Sequence, residues 1–523
     1  MTEDAETAEA AQGAVWSGSW VAERLGVGLE GDEALPGLLG LALRRNPKRA
    51  HLLVSNVLGK HVPQLPSVVY AAGHGLGVRV RELLGDDEAG AAVVLGYAET
   101  ATGLGHAVAD GIGLAPYLHS TRRPVEGVAR AGGFEESHSH ATSHLLLPED
   151  PRLLAGAGPL VLVDDEFSTG NTVLNTVRAL HERYPRERYV IVALVDMRSP
   201  RDRGRLAAFA GEIGARVDLI TRAAGTVRLP DGVLEKGRAL VAAHETAAVP
   251  GPREVRVPAV RVDLGWPAGV PDGGRHGFTP AHRARLQEAL PGMAGRIAGE
   301  LPPDARRVLV LGFEELMYAP LALGVELERL IGADVRFSTT TRSPVLAVDD
   351  PGYAIRTRLV FPAHDEPADG PGPRFAYNVA GGGFDAVVAV VDSTADTTGL
   401  HAPDGLLAQL SAHVPRVLLA VVPSYVPAPH APERSSLLPE PLRGPAFSSY
   451  APDDVGWLLQ DLSEVTLEAP TEEREEAIQS GGAHYAESLP VEYQPSERYQ
   501  ELFRAALDTS AARIALAVGT VTE

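Results

Sequence analysis

Short, wholly apolar runs separated by longer amphipathic stretches limit the fold of this 523-residue chain more than any other feature. Between about residues 35 and 245 the runs are LLV (52–54), SVVYAAG (67–73), AAVVLGYA (91–98), PLVLVDD (159–165), YVIVALVDM (189–197) and ARVDLIT (215–221). Strands that are apolar on both faces must be covered on both faces, so alternation with helix-length segments predicts an α/β fold with mainly parallel sheets flanked by helices. A Pro- and Gly-rich stretch over 246–276 reads as a linker, and the pattern then restarts with RRVLVLGFEE (306–315) and DAVVAVVDS (385–393). The length suits two to four domains. The divisions expected are an acidic lead-in (1–30), a first α/β domain (31–245), the linker (246–276), a second α/β domain (277–425) and a Pro-rich connector with a helical accessory tail (426–523).

The two α/β domains echo each other. Val94-Leu95-Gly96-Tyr97 matches Val310-Leu311-Gly312-Phe313, and Thr121-Arg122-Arg123-Pro124-Val125 matches Thr341-Arg342-Ser343-Pro344-Val345. The next buried strands end in Asp164 and Asp392. Order and rough spacing agree, which reads as two copies of one unit, although unrelated α/β units can share such fragments.

Composition removes several functions. The formal net charge of −21 repels phosphate backbones, so broad nucleic-acid binding is not expected. There is no cysteine, which excludes disulfides, thiolate nucleophiles and Cys-ligated metals and fits a reducing cytoplasm. The first residues carry no apolar segment of the secretory kind, and no apolar run reaches membrane-spanning length. The expectation is a cytoplasmic protein without membrane or nucleic-acid partners.

The strongest chemical signal is Leu160-Val161-Leu162-Val163-Asp164-Asp165-Glu166-Phe167-Ser168-Thr169-Gly170-Asn171-Thr172. A buried strand delivers carboxylates to its C-terminal edge, and a small, hydroxylated loop then enters a helix. Backbone N–H groups at such a helix start hold phosphate, aided by the helix dipole and by the Ser168, Thr169 and Thr172 hydroxyls. Asp164 and Asp165 suit the hydroxyls of a vicinal diol, which donate to carboxylates. Together these describe a ribose 5-phosphate site; an ordinary βα turn with a capping Ser or Thr would share part of the pattern.

This segment resembles the phosphoribosyl-diphosphate loop of type I phosphoribosyltransferases, with one departure: Glu166 stands where that family usually has an apolar residue. The resemblance implies a Mg²⁺-dependent transfer in which Asp164 and Asp165 hold the ribose hydroxyls and Ser168, Thr169, Gly170, Asn171 and Thr172 hold the 5-phosphate. Tyr97, Ala98, Glu99 and Thr100 then resemble the loop that binds diphosphate through backbone amides, with a plain helix N-terminus as the alternative. Arg122 and Arg123 can neutralise a diphosphate leaving group or simply form a solvated pair. Lys60 is placed on the acceptor or diphosphate side, or in a surface turn. The segment between Pro124 and Leu145 sits where the family keeps a mobile catalytic loop, and it offers His138, His140 and His144 as general acids or bases. Mg²⁺ would ride on the diphosphate, with Asp164 as its one protein contact, rather than in a protein-only cage.

A narrower resemblance rests on Arg44-Arg45-Asn46-Pro47-Lys48-Arg49, on Val54-Ser55-Asn56-Val57-Leu58-Gly59-Lys60-His61, on Thr340-Thr341-Arg342-Ser343-Pro344 and on Tyr377-Asn378-Val379. These are similar to the orotate-phosphoribosyltransferase-like family of tellurium-resistance-associated (Ter) biosynthetic gene clusters, whose C-terminal TRSP domain is named for the tetrapeptide at 341–344. The tail at 447–515 resembles the opening of the StiP group of such clusters. The function implied is transfer of a phosphoribosyl group between phosphoribosyl diphosphate and a small, base-like acceptor, in making a nucleoside-like metabolite. The alternatives are a non-catalytic sensor of phosphoribosyl diphosphate or a nucleotide, and a scaffold whose tail docks a pathway enzyme. Type I relatives are commonly dimers, and a tandem repeat could supply the second half internally. The degenerate second unit is expected to lack turnover.

Overall fold

In the computed structural model the residues described are 15–46, 49–125, 128, 132–135, 143–244, 257–365 and 372–427. The tail expected to be helical, the first fourteen residues of the lead-in, and His138 and His140 lie outside them.

The first half runs through helix α1 (Ser19–Leu25), β1 (Gly28–Gly31), the hairpin β2 (Leu39–Asn46) and β3 (Arg49–Ser55), α2 (Pro66–Ala91), β4 (Val93–Gly96), α3 (Thr102–Ile112) and β5 (Tyr117–His119). A second hairpin follows, β6 (Gly132–Glu135) and β7 (Ser143–Leu146), then β8 (Leu160–Phe167), α4 (Asn171–Arg183), β9 (Arg188–Asp196), α5 (Pro200–Ile213), β10 (Arg216–Arg228) and α6 (Val233–His244). The sheet order is β1-β10-β9-β8-β4-β5, parallel except for the edge pair β1–β10. β4 and most of β8 and β9 are buried on both faces, which is what their unbroken Val, Ile and Leu runs require.

The second half repeats this plan with β11 (Val260–Val262), α7 (Pro280–Glu300), β12 (Arg307–Gly312), α8 (Tyr318–Leu330), β13 (Asp334–Thr339), the hairpin β14 (Arg358–Pro362) and β15 (Pro373–Tyr377), β16 (Ala386–Asp392) and β17 (Arg416–Val422). Its sheet is all parallel, in the order β11-β17-β16-β12-β13. Thus β4, β5, β8 and β9 correspond in place and sequence to β12, β13, β16 and β17. The correspondence extends to single bonds. Ser120 N–H donates to Gly96 O and Thr340 N–H to Gly312 O; Thr121 bridges Leu145 as Thr341 bridges Phe375.

Two expectations are corrected. SVVYAAG (67–73) is not a strand but the start of the 26-residue helix α2, with Pro66 in its first turn and a left-handed Gly85 near its end. The stretch read as a linker is structured where it is described: β11 joins the second sheet, and Gly274 O accepts from His119 N–H of the first at 2.9 Å.

The halves are interwoven. Residues 343–356 of the second lie along β2: Leu346 N–H donates to Leu43 O, Ala354 N–H to Leu41 O, and Arg44 bridges Val345. The buried Tyr353 hydroxyl accepts from Leu43 N–H at 2.7 Å and donates to Leu346 O at 2.9 Å. The lead-in joins this cluster through Trp20 and Val21. Tyr353→Phe leaves two buried backbone groups unsatisfied and is expected to lower unfolding free energy by about 1–2 kcal/mol, read from denaturant midpoints.

Candidate functional site

β8 carries Asp164, Asp165 and Glu166 out of the core and ends at Phe167, in register with Asp196 of β9. The loop Ser168-Thr169-Gly170 then turns into α4. Gly170 sits at φ +75°, and a Cβ there would lie 2.9 Å from the Phe167 ring, so glycine is required on both counts. Gly170, at the N-cap, has no side chain to cap α4, and no acid occupies its first turn. The helix start is therefore open to an anion. Asn171 is steadied by Arg205, whose Nη2 donates to Asn171 Oδ1 at 2.8 Å, and Asn171 N–H reaches Thr169 Oγ1 at 3.4 Å.

Asp165 N–H donates to Asp164 Oδ1 at 2.9 Å. Burial first, then the charge of Asp165 and that of Glu166, push the Asp164 carboxyl well above its ordinary range. That is the state of a carboxylate short of positive charge or hydroxyl donors. A sugar diol or a divalent cation supplies what is missing, and oxygen-only donors of this kind suit Mg²⁺. Among the described residues no group of three or more His, Asp or Glu side chains forms a metal cage of its own.

Asp165 and Glu166 also line a narrow cleft with about 10 Å³ of free space, whose other walls include Leu38 and Leu39 of the β2 entry, Leu53 and Ser55 of β3, and Val57. This is far below the roughly 300–1,000 Å³ of small-molecule sites, so the walls must part to admit a ligand. Glu166 thus faces the cleft.

The loop after β4 differs in detail from its expected role. Tyr97 N–H is spent on Val163 O at 3.2 Å and Ala98 N–H on Ser120 Oγ at 2.9 Å. Thr100 Oγ1 accepts from Lys60 Nζ at 2.7 Å, and Glu99 Oε2 lies 3.8 Å from the same nitrogen. Lys60 is 7% exposed, so it is an inward-facing cation at this loop and not part of a surface turn. His144, also buried, has Nδ1 at 2.9 Å from Ser120 Oγ, which ties it to the core.

Arg123 is where sequence and structure part. Its guanidinium binds the second half: Nη2 lies 2.7 Å from Asp365 Oδ2, Nη1 lies 2.8 Å from Asp392 Oδ2, and Nη1 donates to Thr394 Oγ1 at 3.2 Å. The Phe313 ring lies 5.4 Å from it. Asp392 ends β16, the counterpart of β8, so Arg123 fills the position that corresponds to the Asp164–Asp165 edge and cannot serve a diphosphate at the first strand end. Thr121 Oγ1 and Arg122 N–H donate to Glu315 at 2.7 and 2.9 Å. Burial alone would raise Glu315; Arg275, His119 and Arg123 outweigh it and pull its carboxyl down to about 2. The second strand end also lacks a helix to cradle phosphate: a loop follows Asp392, and the next helix is the short Leu406–Ser411.

The Arg of the Thr341-Arg342-Ser343-Pro344 tetrapeptide binds inward. Its Nε lies 2.6 Å from Glu314 Oε2, and Arg374 Nε pairs with the other Glu314 oxygen. Burial, then the charge of Glu99, lift the Glu314 carboxyl, and Arg342 opposes them, leaving it at about 7. Sequence reasoning missed Asp365, Glu314, Arg374 and Glu315 as members of this charged seam; only the Thr-Arg echo at 121 and 341 pointed there.

Residues 38–226 match the family described as phosphoribosyl transferase, and 272–410 match the TRSP domain that lies C-terminal to it. Residues 448–523 match a family described as tellurite-like stress resistance cysteine protease StiP, though the chain has no cysteine to act as a thiol nucleophile. No curated protein matches the chain. Among solved structures it is similar to adenine phosphoribosyltransferase from Giardia lamblia complexed with 9-deazaadenine (17% identity, 35% of this chain and 93% of that one, TM-score 0.27). It is also similar to the enzymes from Rhodothermus marinus (17%, 36% and 96%, 0.25) and Saccharomyces cerevisiae (11%, 36% and 97%, 0.25).

Removing one partner of a buried pair strands the other charge. Arg123→Ala is expected to lower unfolding free energy by about 3–5 kcal/mol, and Arg123→Met with Asp365→Asn and Asp392→Asn to recover most of it, read from denaturant midpoints.

Proposed function

We propose, from the premise that this chain carries a phosphoribosyl transferase domain followed by its TRSP domain, that it transfers a 5-phosphoribosyl group between phosphoribosyl diphosphate and a small, ring-shaped acceptor. The observation that carries this reading is the juxtaposition at the end of β8: a helix start with no acid in its first turn, for a phosphate, beside the paired carboxylates Asp164 and Asp165, the first of them pushed up by burial and like charge. Asp164 and Asp165 hold the ribose hydroxyls. Ser168 to Thr172 hold the 5-phosphate. The acceptor enters at the narrow cleft between Leu38, Leu39, Leu53 and Val57 and the carboxylates, whose walls part to admit it, and Glu166 favours an acceptor bearing N–H donors.

The transfer breaks the bond between C1 of the ribose and diphosphate, which leaves with the electron pair, and forms a bond from C1 to an acceptor nitrogen, whose proton passes to Glu166 or water, through an oxocarbenium-like state. The two carboxylates face the charge that develops on the sugar, and Lys60 faces the leaving group. The apolar cleft walls hold the acceptor in line and keep water from the cation. When bound, Mg²⁺ neutralises the diphosphate, with Asp164 as its protein contact. The second strand end takes no substrate, because Arg123 fills it.

Diphosphate release from phosphoribosyl diphosphate, measured against a panel of heterocyclic acceptors with and without Mg²⁺, tests the reading. Turnover that is lost in Asp165→Ala supports it, and a well-folded chain with no turnover and no binding sinks it. A regulator would bind the donor without releasing diphosphate. Asp164→Asn is expected to abolish binding while raising stability at pH 7 by about 1 kcal/mol, as removal of a strained site group does. The sign follows from linkage: a carboxyl whose folded pKa is raised destabilises the fold above its ordinary pKa. The gap between variant and wild type therefore shrinks as pH falls through the folded value.

A further inference from the structure

Lys60 is held from the far half of the sequence. The loop 56–64 that carries it lies against β13: Gln64 N–H donates to Phe337 O at 3.0 Å, and Phe337 N–H donates to Gln64 O at 2.7 Å. Gly59, at φ +72°, leaves room for the Phe337 ring, 2.5 Å from where a Cβ would stand. The next residue, His61, gives its carbonyl oxygen to Asn378 Nδ2 at 2.9 Å, and its ring packs 5.5 Å from Tyr377.

Asn378 is built for this. Its Nδ2 also donates to Ala354 O at 3.0 Å, and its Oδ1 accepts from Arg356 N–H at 2.7 Å and Thr357 N–H at 3.3 Å. Two donors meet carbonyls and one acceptor meets two amides, which fixes the orientation of the amide. The residue sits at φ +57°, a left-handed conformation that asparagine tolerates better than other side chains do. None of these bonds touches the first strand end. They join the 343–356 strap, the β15 end and the Lys60 loop at one point.

We propose that Asn378 is a positioning residue of the second half that sets Lys60 against the Glu99–Thr100 turn, so the TRSP half acts as the resident partner that completes the cationic side of the first site. What this does to phosphoribosyl diphosphate binding rests on the function proposed above; the placement of Lys60 does not.

The chain has only three lysines, Lys48, Lys60 and Lys236, so lysine ¹³Cε labelling gives a spectrum in which Lys60 is assigned by Lys60→Arg. The variants are Asn378→Gly, which keeps the left-handed backbone and removes the amide, and Asn378→Asp, which turns the donor into an acceptor facing two carbonyls. In the ligand-free full chain, both are expected to move the Lys60 signal and leave Lys236 in place. Asn378→Gly is expected to weaken Mg²⁺-phosphoribosyl diphosphate binding by on the order of tenfold, and to add less than about twofold in a Lys60→Ala background. An unmoved Lys60 signal in both variants overturns the proposal, as does a full, multiplicative loss on top of Lys60→Ala. If the wild type binds no phosphoribosyl diphosphate, the functional reading falls, and the lysine spectra still decide the placement.

Discussion

The seam between the two halves rests on one exchange: Thr121 and Arg122 of the first donate to Glu315 of the second, while Arg123 reaches Asp365 and Asp392. These groups are largely buried, so each charge is tolerable only because another sits against it. The ion pairs fix the halves in one relation. Once that relation is set, the strap at 343–356 lies along β2, and the loop carrying Lys60 meets β13.

The seam also explains why two copies of one unit have come to differ. At the end of β16 an arginine from the other half neutralises the carboxylates, and Asp392 is held below its ordinary range, burial being outweighed by Arg123 and Arg275. At the end of β8 no arginine or lysine among the described residues pairs with Asp164, and burial and like charge push it upward. One strand end is satisfied by the protein itself and contributes to stability. The other is left short of partners and so retains a demand that a ligand can meet. Strain kept at one site and relieved at its twin is the expected division when a repeat keeps a single working centre.

Much of this was readable in the sequence, and the physical reason is locality. Strand period, the run from Leu160 to Thr172 and the glycine needed at 170 are short-range features that a buried strand and a tight turn impose wherever they occur. The echo at 94–97 and 310–313 gave the repeat, because the same strand-to-loop step needs the same small residue. SVVYAAG was misread because an apolar run of seven carries no period that separates a strand from a buried helix. Arg123 was misassigned because its partners lie 269 positions away at Asp392 and at Asp365, and nothing local distinguishes an arginine for diphosphate from an arginine for a buried carboxylate. The role of Asn378 was invisible for the same reason.

The central claim is that one strand end is a ligand site and its twin is closed. Calorimetric titration of phosphoribosyl diphosphate with Mg²⁺ into the full chain measures this through its stoichiometry. One molecule per chain, lost in Asp164→Ala/Asp165→Ala and retained in Asp392→Asn, is the expected result. Two molecules per chain, or binding that survives loss of Asp164 and Asp165, would contradict the account.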